Sequence, residues 1–341
     1  MADSRTWCPD PRLTEALRTA LAGQHAAEPF AVAVSGGADS AMLAVHAARL
    51  ARGEGSALRL FHVHHGLQDA ADDWADHVGT LADLLSVPLD AVRVAVDTAT
   101  GLGVEASARE ARYAALAELA QRHDTPTLLL AHHRHDQAET LLLRLLRGTG
   151  LDGMTGMAAQ MQRDGVCYLR PWLDIDRDLI LAQAQAWADA TGWHAVADPS
   201  NADARYARGA VRTLLAPALD RRWPSWRHSL ARHARQAAET ALILDEVAQA
   251  DFAGLDPSEE GDSFALAAWR QLRPSRQALV LRHWFRQHGV AMPTEAKLLE
   301  LMRQLRQLHA FGADRQMRVV HDHVQVCCVG GRVTLATRSS R

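Results

Sequence analysis

Lysine is nearly absent from this chain: of 37 basic residues in 341, Lys297 is the only lysine and the rest are arginine. Cysteine is scarce as well. Cys8, Cys167, Cys327 and Cys328 are scattered or adjacent and never in CxxC spacing, so neither a disulfide framework nor a zinc or iron–sulfur site is indicated. No apolar run approaches the roughly 20 residues that span a bilayer. The opening MADSRTWCPD lacks the charged start and continuous apolar core of a signal peptide. A cytoplasmic protein with no membrane partner is expected. Charge of one sign is not in excess either, since the formal net charge is −3, and that sum does not announce a nucleic-acid binder.

What is present is enough for more than one domain. A length of 341 residues makes two domains the natural expectation, and a hydrophobic fraction of 48% is ample for a core. The distribution of charge says more than its sum. Arg205, Arg208, Arg212, Arg221, Arg222, Arg227, Arg232 and Arg235 fall within one short stretch, opposed only by Asp203 and Asp220. Such a local basic stripe is the footprint of contact with a phosphate backbone.

The chain is organised around Phe30 to Leu50. An apolar run with strand character, Phe30 to Val34, stops at Ser35-Gly36-Gly37, and a helix-period run begins at about Asp39. A strand, a glycine turn and a helix start leave first-turn N–H groups unpaired at the positive end of the helix dipole, where an anion docks. Phosphate suits the loop Ser35, Gly36, Gly37, Ala38, Asp39, Ser40: the glycines allow close approach, the serines donate, and Asp39 places a carboxylate where magnesium can be held. The lysine of GxxxxGK[ST] is missing and the spacing does not fit GxGxxG. An ordinary β–α turn would share the local pattern.

Further strands are read at Leu58 to Val63, Leu89 to Val96 and Thr127 to Ala131, alternating with helices that include Glu105 to Gln121, which carries Arg109 and Arg112. Continuous apolar strands between helices predict an α/β fold, a parallel sheet with helices on both faces. Polar clusters follow strands one, two and four, where open α/β sheets place ligands. Beyond Gly148 a short segment ends at Arg170-Pro171, and a helix is expected over 174–191. From about Ala218 the chain reads as helical, with a closing hairpin of Val319 to Val326 and Val333 to Thr337 about Gly330-Gly331. The expected division is 1–217 for the α/β domain and 218–341 for a smaller, mainly helical one.

His132, His133, His135, Asp136 and Glu139 stand just after strand four. Taken alone, such a cluster fits either metal ligands or helix-capping polar residues at a crevice rim.

SGGADS looks like the SGGxDS signature of the N-type ATP pyrophosphatases, the PP-loop enzymes. AHHRHDQAETLLLRLLRGTGLDGM, from Ala131 to Met154, resembles HxxDDQxETxLxxLxRGxGLxGL of the tRNA(Ile)-lysidine synthases. HVHHGL from His62, GVEASAREARY from Gly103 and DPSNADARYARGAVR from Asp198 match the same family in the same order. Two positions depart from its pattern: His135 stands where an aspartate is common, and Gly209 replaces an asparagine.

The resemblance implies a ligase that uses ATP and Mg²⁺ to join free lysine to the wobble cytidine of the isoleucine tRNA with a CAU anticodon, through an adenylylated base, with AMP and pyrophosphate released. It implies pyrophosphate on Ser35, Gly36, Gly37 and Ser40, and magnesium on Asp39 and Asp136. Arg109 and Arg112 would meet phosphates or the tRNA backbone, or else form a solvated helix face. Glu139 would orient the amine or take its proton, with His132 a further participant. His64 and His65 would line the crevice. Arg205, Arg208, Arg212 and Tyr206 would contact tRNA. The second domain would bind tRNA, and the chain would end before the further small domain of some members. Competing readings are a tRNA-thiolating PP-loop enzyme, an amidotransferase-type synthetase, and an RNA-binding relative that has lost catalysis.

Overall fold

The computed structural model describes residues 7–24, 28–64, 71–95, 104–196, 203–308 and 317–337. The chain divides into two compact units, Met1–Gln236 and Ala237–Arg341.

In the first unit, α1 (Pro11–Leu21) precedes β1 (Phe30–Ala33), α2 (Ala38–Glu54), β2 (Leu58–His64), α3 (Ala71–Leu85), β3 (Leu89–Arg93), α4 (Val104–Arg122) and β4 (Thr127–Leu129). Next come α5 (Arg134–Leu146), α6 (Leu151–Met154), β5 (Gln160–Arg163), β6 (Val166–Leu169) and α7 (Arg177–Thr191). The unit closes with α8 (Ala207–Ala210), a π-helical turn (Val211–Leu215), α9 (Ala216–Arg222) and the first part of α10 (Trp226–Ala253). The sheet order is β3-β2-β1-β4-β6-β5, parallel throughout except for the β5–β6 hairpin. That hairpin is what the sequence left as a short segment before Arg170.

Successive residues of β1 serve opposite faces, as a strand's period of two requires. Phe30 and Val32 join the core under α1, α2, α3 and α7, while Ala31 joins the core under α4 with Phe61, Tyr113 and Tyr168. With both faces covered, the strands must be continuously apolar, and β1 is. Helix α2 is buried along almost its whole length. Ala41, Ala44, Ala47, Ala48 and Ala51 give it the slim profile that lets neighbours pack on several sides.

One polar group sits inside that packing. His46 is 1% exposed, edge-on to Trp7 and Trp172, with Nδ1 3.0 Å from the Thr14 hydroxyl. Burial pulls its imidazole down to about 4 from an ordinary 6.5. The unfolded chain therefore takes up this proton first as pH falls. Stability from the neutral ring is complete above about pH 6.5 and is lost progressively toward pH 4. Denaturant titrations at about pH 7 and about pH 5 should show wild type losing about 2 kcal/mol more than His46→Gln does. Equal losses would mean the ring is not held neutral.

In the second unit, β7 (Ser263–Ala265) leads to α11 (Leu266–Gln271), α12 (Pro274–Gln287), α13 (Glu295–Gln307), β8 (Met317–His321), β9 (Val324–Val329) and β10 (Arg332–Thr337). The strands form an antiparallel sheet in the order β7-β10-β9-β8 around a core holding Phe264, Trp269, Trp284 and Phe285. The Val319 to Val326 run is not one strand. It breaks at Asp322, whose φ of +54° makes the turn between β8 and β9. Among the described residues no helix is long and apolar enough to cross a membrane.

Candidate active site

In the sheet order, β2 and β3 lie to one side of β1 and β4 to the other, so the connections reverse direction between β1 and β4. At such a switch point the loops leaving two adjacent strands part and open a crevice. The helices that follow these strands, α2 and α5, begin there with their positive ends.

The first loop is shaped by Gly36, which takes the left-handed region at φ +87°. A side chain there would be strained and would also reach 3.4 Å from Val78. The Gly36 carbonyl accepts from the Val196 N–H at 2.9 Å, pinning the turn. Gly37 is the N-cap of α2, and no side chain caps that helix. Ser35 and Ser40 brace the loop instead, with hydroxyls 3.1 Å apart and Ser40 donating to the Gly37 carbonyl. The result is a preset turn with an uncapped helix start, suited to oxyanions.

The second helix start carries a capping box. His133 is the N-cap of α5: its Nδ1 accepts from the Asp136 N–H, and its own N–H donates to Asp136 Oδ2 at 3.1 Å. With Nδ1 accepting, Nε2 carries a proton toward Asp39 Oδ1, 3.5 Å away. His133 thus stands between Asp39 and Asp136. Its burial works to lower the imidazole pKa, but the two carboxylates outweigh that and raise it. Burial works to raise Asp39, and His133 with Arg177 holds it instead at about 2. Asp136 is likewise kept below its ordinary value against its own burial, by His133, His132 and Arg208. Both carboxylates are ionised at neutral pH.

Arginines surround them. Arg177 reaches both Asp39 oxygens at 3.3 Å. Arg212 forks onto buried Glu139, Nε to Oε1 at 2.7 Å and Nη2 to Oε2 at 2.9 Å, and also meets Asp136 Oδ1 at 3.3 Å. Arg208 donates to Thr140 and lies 3.8 Å from Asp136. Arg109 and Arg170 both donate to the Tyr113 hydroxyl, and Arg170 also donates to His132 Nδ1 at 3.3 Å. Arg112 lies in this group, within the fields of Arg109 and Arg208, and burial lowers its pKa. Among the described residues no carboxylate pairs with it. Asp39, Asp136 and Glu139 thus meet Arg177, Arg208 and Arg212, while Arg109, Arg112 and Arg170 gather about Tyr113 and His132. The excess of positive charge suits a polyanionic ligand.

The residues expected from sequence, the Ser35–Ser40 loop with Asp136, Glu139, His132, Arg109 and Arg112, come together at this crevice. Burial, with the nearby arginines, drops His132 to about 3 against the pull of Asp136, so its ring is neutral. His64 is buried at the end of β2, whereas His65 lies outside the described residues. Arg208 and Arg212, expected from sequence to contact tRNA, turn inward to Asp136 and Glu139. His133 was named only as one of the cluster after strand four, with helix capping among its readings, and it is the cap of α5; Arg170 and Arg177 were given no role by the sequence. A second histidine beside His132 and an arginine directly after an apolar strand were the available signals.

Both departures have a local account. A Cβ built on Gly209 would collide with the carbonyl oxygen of Asp203, so here glycine admits close approach of that backbone. His135 stacks edge-on to His133, and burial with the charge of Arg227 lowers it to about 4. It contributes a neutral ring where a carboxylate would add charge. For a divalent cation, Asp39 and Asp136 supply hard oxygen donors, and among the described residues no third His, Cys, Asp or Glu completes a ligand set.

A PP-loop domain model matches residues 10–219, and a TilS substrate binding domain model matches residues 264–334. A tRNA(Ile)-lysidine synthase of Bordetella pertussis is 63% identical over 304 residues, covering 89% of this chain and 94% of that protein. The chain belongs to the tRNA(Ile)-lysidine synthase family. A second tRNA(Ile)-lysidine synthase, from Bordetella bronchiseptica, is 59% identical over 337 residues, 96% of this chain and 98% of the relative. Among solved structures, the U34-tRNA thiolase NcsA from Methanococcus maripaludis is similar in fold, with a TM-score of 0.55 at 17% identity over 67% of this chain and 78% of its own. That likeness extends to fold alone. In this member of the lysidine synthase family Cys167 is buried in β6, and Cys327 and Cys328 belong to the second unit.

Proposed function

We propose that this chain is an ATP-dependent tRNA(Ile)-lysidine synthase, which joins free lysine to C2 of the wobble cytidine in the isoleucine tRNA with a CAU anticodon. The observation that carries the reading is the convergence of two helix starts, the uncapped α2 and the α5 capped by His133, on the Asp39–His133–Asp136 chain beside Glu139. Triphosphate fits the loop of Ser35, Gly36, Gly37, Ala38 and Ser40, with free N–H groups and hydroxyls on its oxygens. Arg112 and its neighbours offset the charge that gathers as pyrophosphate leaves. Asp39 and Asp136 would hold Mg²⁺, which would supply positive charge against the phosphates.

In the first step the cytidine 2-oxo oxygen attacks the α-phosphorus, the bond to the β-phosphate oxygen breaks, and pyrophosphate departs. In the second the lysine ε-amine adds at C2 and AMP leaves from that carbon. The amine attacks only when neutral, so its ammonium first gives up a proton to a carboxylate. Glu139 would take this proton. Each carboxylate oxygen has two lone-pair sites, and Arg212 takes one on each, which leaves Glu139 able to receive and orient the ammonium. His132, its ring held neutral, fits as a hydrogen-bond partner to the base or ribose.

The test is transfer of labelled lysine to the transcribed CAU-anticodon isoleucine tRNA, with and without ATP, with the CAU-bearing methionine tRNA as control. ATP-dependent label on the isoleucine tRNA alone is expected. ATP cleaved to AMP without label would keep the PP-loop and reject the substrate. No cleavage would favour an RNA-binding relative.

A further inference from the structure

The eight clustered arginines do not share one role. Arg205 pairs with Asp203, Arg208 and Arg212 turn to Asp136 and Glu139, Arg227 pairs with Asp220, and Arg235 pairs with Asp174. Arg221, Arg222 and Arg232 are exposed and, among the described residues, meet no carboxylate. These three remain for an external anion.

Between α9 and α10 the chain makes a short turn, Trp223-Pro224-Ser225, at the mouth of a groove of about 610 Å³. Trp223 is 59% exposed, an unusual setting for the largest apolar side chain, and the Arg222 guanidinium lies 5.9 Å from its ring centre. Below it the floor is rigid. Trp226 is buried, its indole N–H donates to Asp220 at 2.8 Å, and Arg227 stacks 4.5 Å from its ring centre while pairing with the same aspartate. Leu142 of α5 lines the wall. It stands three residues beyond Glu139, about 4.5 Å along the helix.

We propose that this groove receives an unpaired nucleobase of the tRNA near the modified position, stacked on Trp223, with Arg222 on an adjoining phosphate. The inference rests on the tRNA-modifying reading above. A nucleobase has two apolar faces and a polar edge, which fits an aromatic platform with Ser229 and His233 at its side. Stacking accepts any base, and the flanking guanidinium supplies the cation that a phosphate chain needs. An apolar protein partner would gain nothing from the Arg222 guanidinium lining the groove, whereas a polyanion would. The lock of Trp226 by Asp220 and Arg227 means the floor is already formed when the base arrives.

The test measures binding of the labelled CAU-anticodon isoleucine transcript across a salt series for wild type, Trp223→Ala, Trp223→Phe and Arg222→Gln, with sedimentation of each protein alone. Trp223→Ala is expected to weaken binding roughly 5- to 100-fold with an unchanged salt slope, and Trp223→Phe to recover most of it. Arg222→Gln is expected to reduce the slope by roughly 0.7 to 0.9. Wild-type affinity in Trp223→Ala would overturn the proposal. So would a change in association state with tRNA affinity intact, which would assign the groove to a second copy of the chain. Failure of wild type itself to bind the transcript would overturn the functional reading along with it.

Discussion

Asp39→Ala is expected to cut AMP and pyrophosphate release by about 100- to 1,000-fold, the scale of losing one preorganised charge in an active site, while tRNA affinity holds. The reason lies in what Asp39 touches. It sits in the first turn of α2, beside the phosphate loop, and its carboxyl is held at about 2, fully charged wherever the enzyme works. Removing it also strips His133 Nε2 and Arg177 of their partner. A fall in activity could then come from a disturbed crevice, so Asp39→Asn is the companion variant. It keeps the shape and a hydrogen-bond acceptor toward His133 and loses the charge. The same loss of AMP release in both variants, with melting of Asp39→Asn near wild type, would place the effect on charge. Turnover at the wild-type rate in either variant would remove Asp39 from the phosphate site. AMP is read by chromatography of the reaction mixture, and tRNA retention is measured separately.

The phosphate loop was legible because its signal is local. A strand, two glycines and a helix start occupy consecutive residues, and the chemistry of Ser35 to Ser40 depends on nothing further away. The parallel sheet was legible for a related reason, since burial on both faces writes itself as unbroken apolar runs in β1 and β4. The β5–β6 hairpin was not. Gln160 to Arg163 is an edge strand of mostly polar residues, and only its pairing with Val166 to Leu169 defines it. Strand β7 was missed in the same way, three residues held by β10 from far along the chain. The separate settings of these arginines were not legible, for the opposite reason. Arg205, Arg208 and Arg212 look alike in sequence, yet Arg205 is out in solvent while the turn of α8 and the π-helical segment carry Arg208 and Arg212 to α5. Which face of a short helix turns inward depends on the neighbouring helix, and one sequence does not contain that information. His133 was legible only as a member of the cluster after strand four, because its place between two carboxylates is positional. Only when β1 and β4 lie side by side does it fall between Asp39 and Asp136.

Arg212→Ala is the variant for which stability and activity should fall together. Glu139 has only 8% of its side chain exposed, and its charge is balanced by the Arg212 fork. Removing one member of a buried pair leaves the other uncompensated and costs about 3 to 5 kcal/mol. In a unit of this size that corresponds to a melting shift of roughly 10 °C. Lysine transfer should drop as well, because a Glu139 without its fork loses the orientation needed to receive an ammonium. The two causes separate in a double variant. Glu139→Gln combined with Arg212→Ala removes both charges and should regain most of the lost melting temperature while lysine transfer stays low. Arg212→Lys keeps the charge but loses the bidentate geometry and should fall between the single variant and wild type. The salt slope of tRNA binding should not change in the double variant, since this guanidinium is spent on carboxylates. A slope reduced by about 0.7 to 0.9 in the double variant, with melting unmoved in Arg212→Ala, would return Arg212 to the phosphate-contacting role that its place in the basic stripe first suggested.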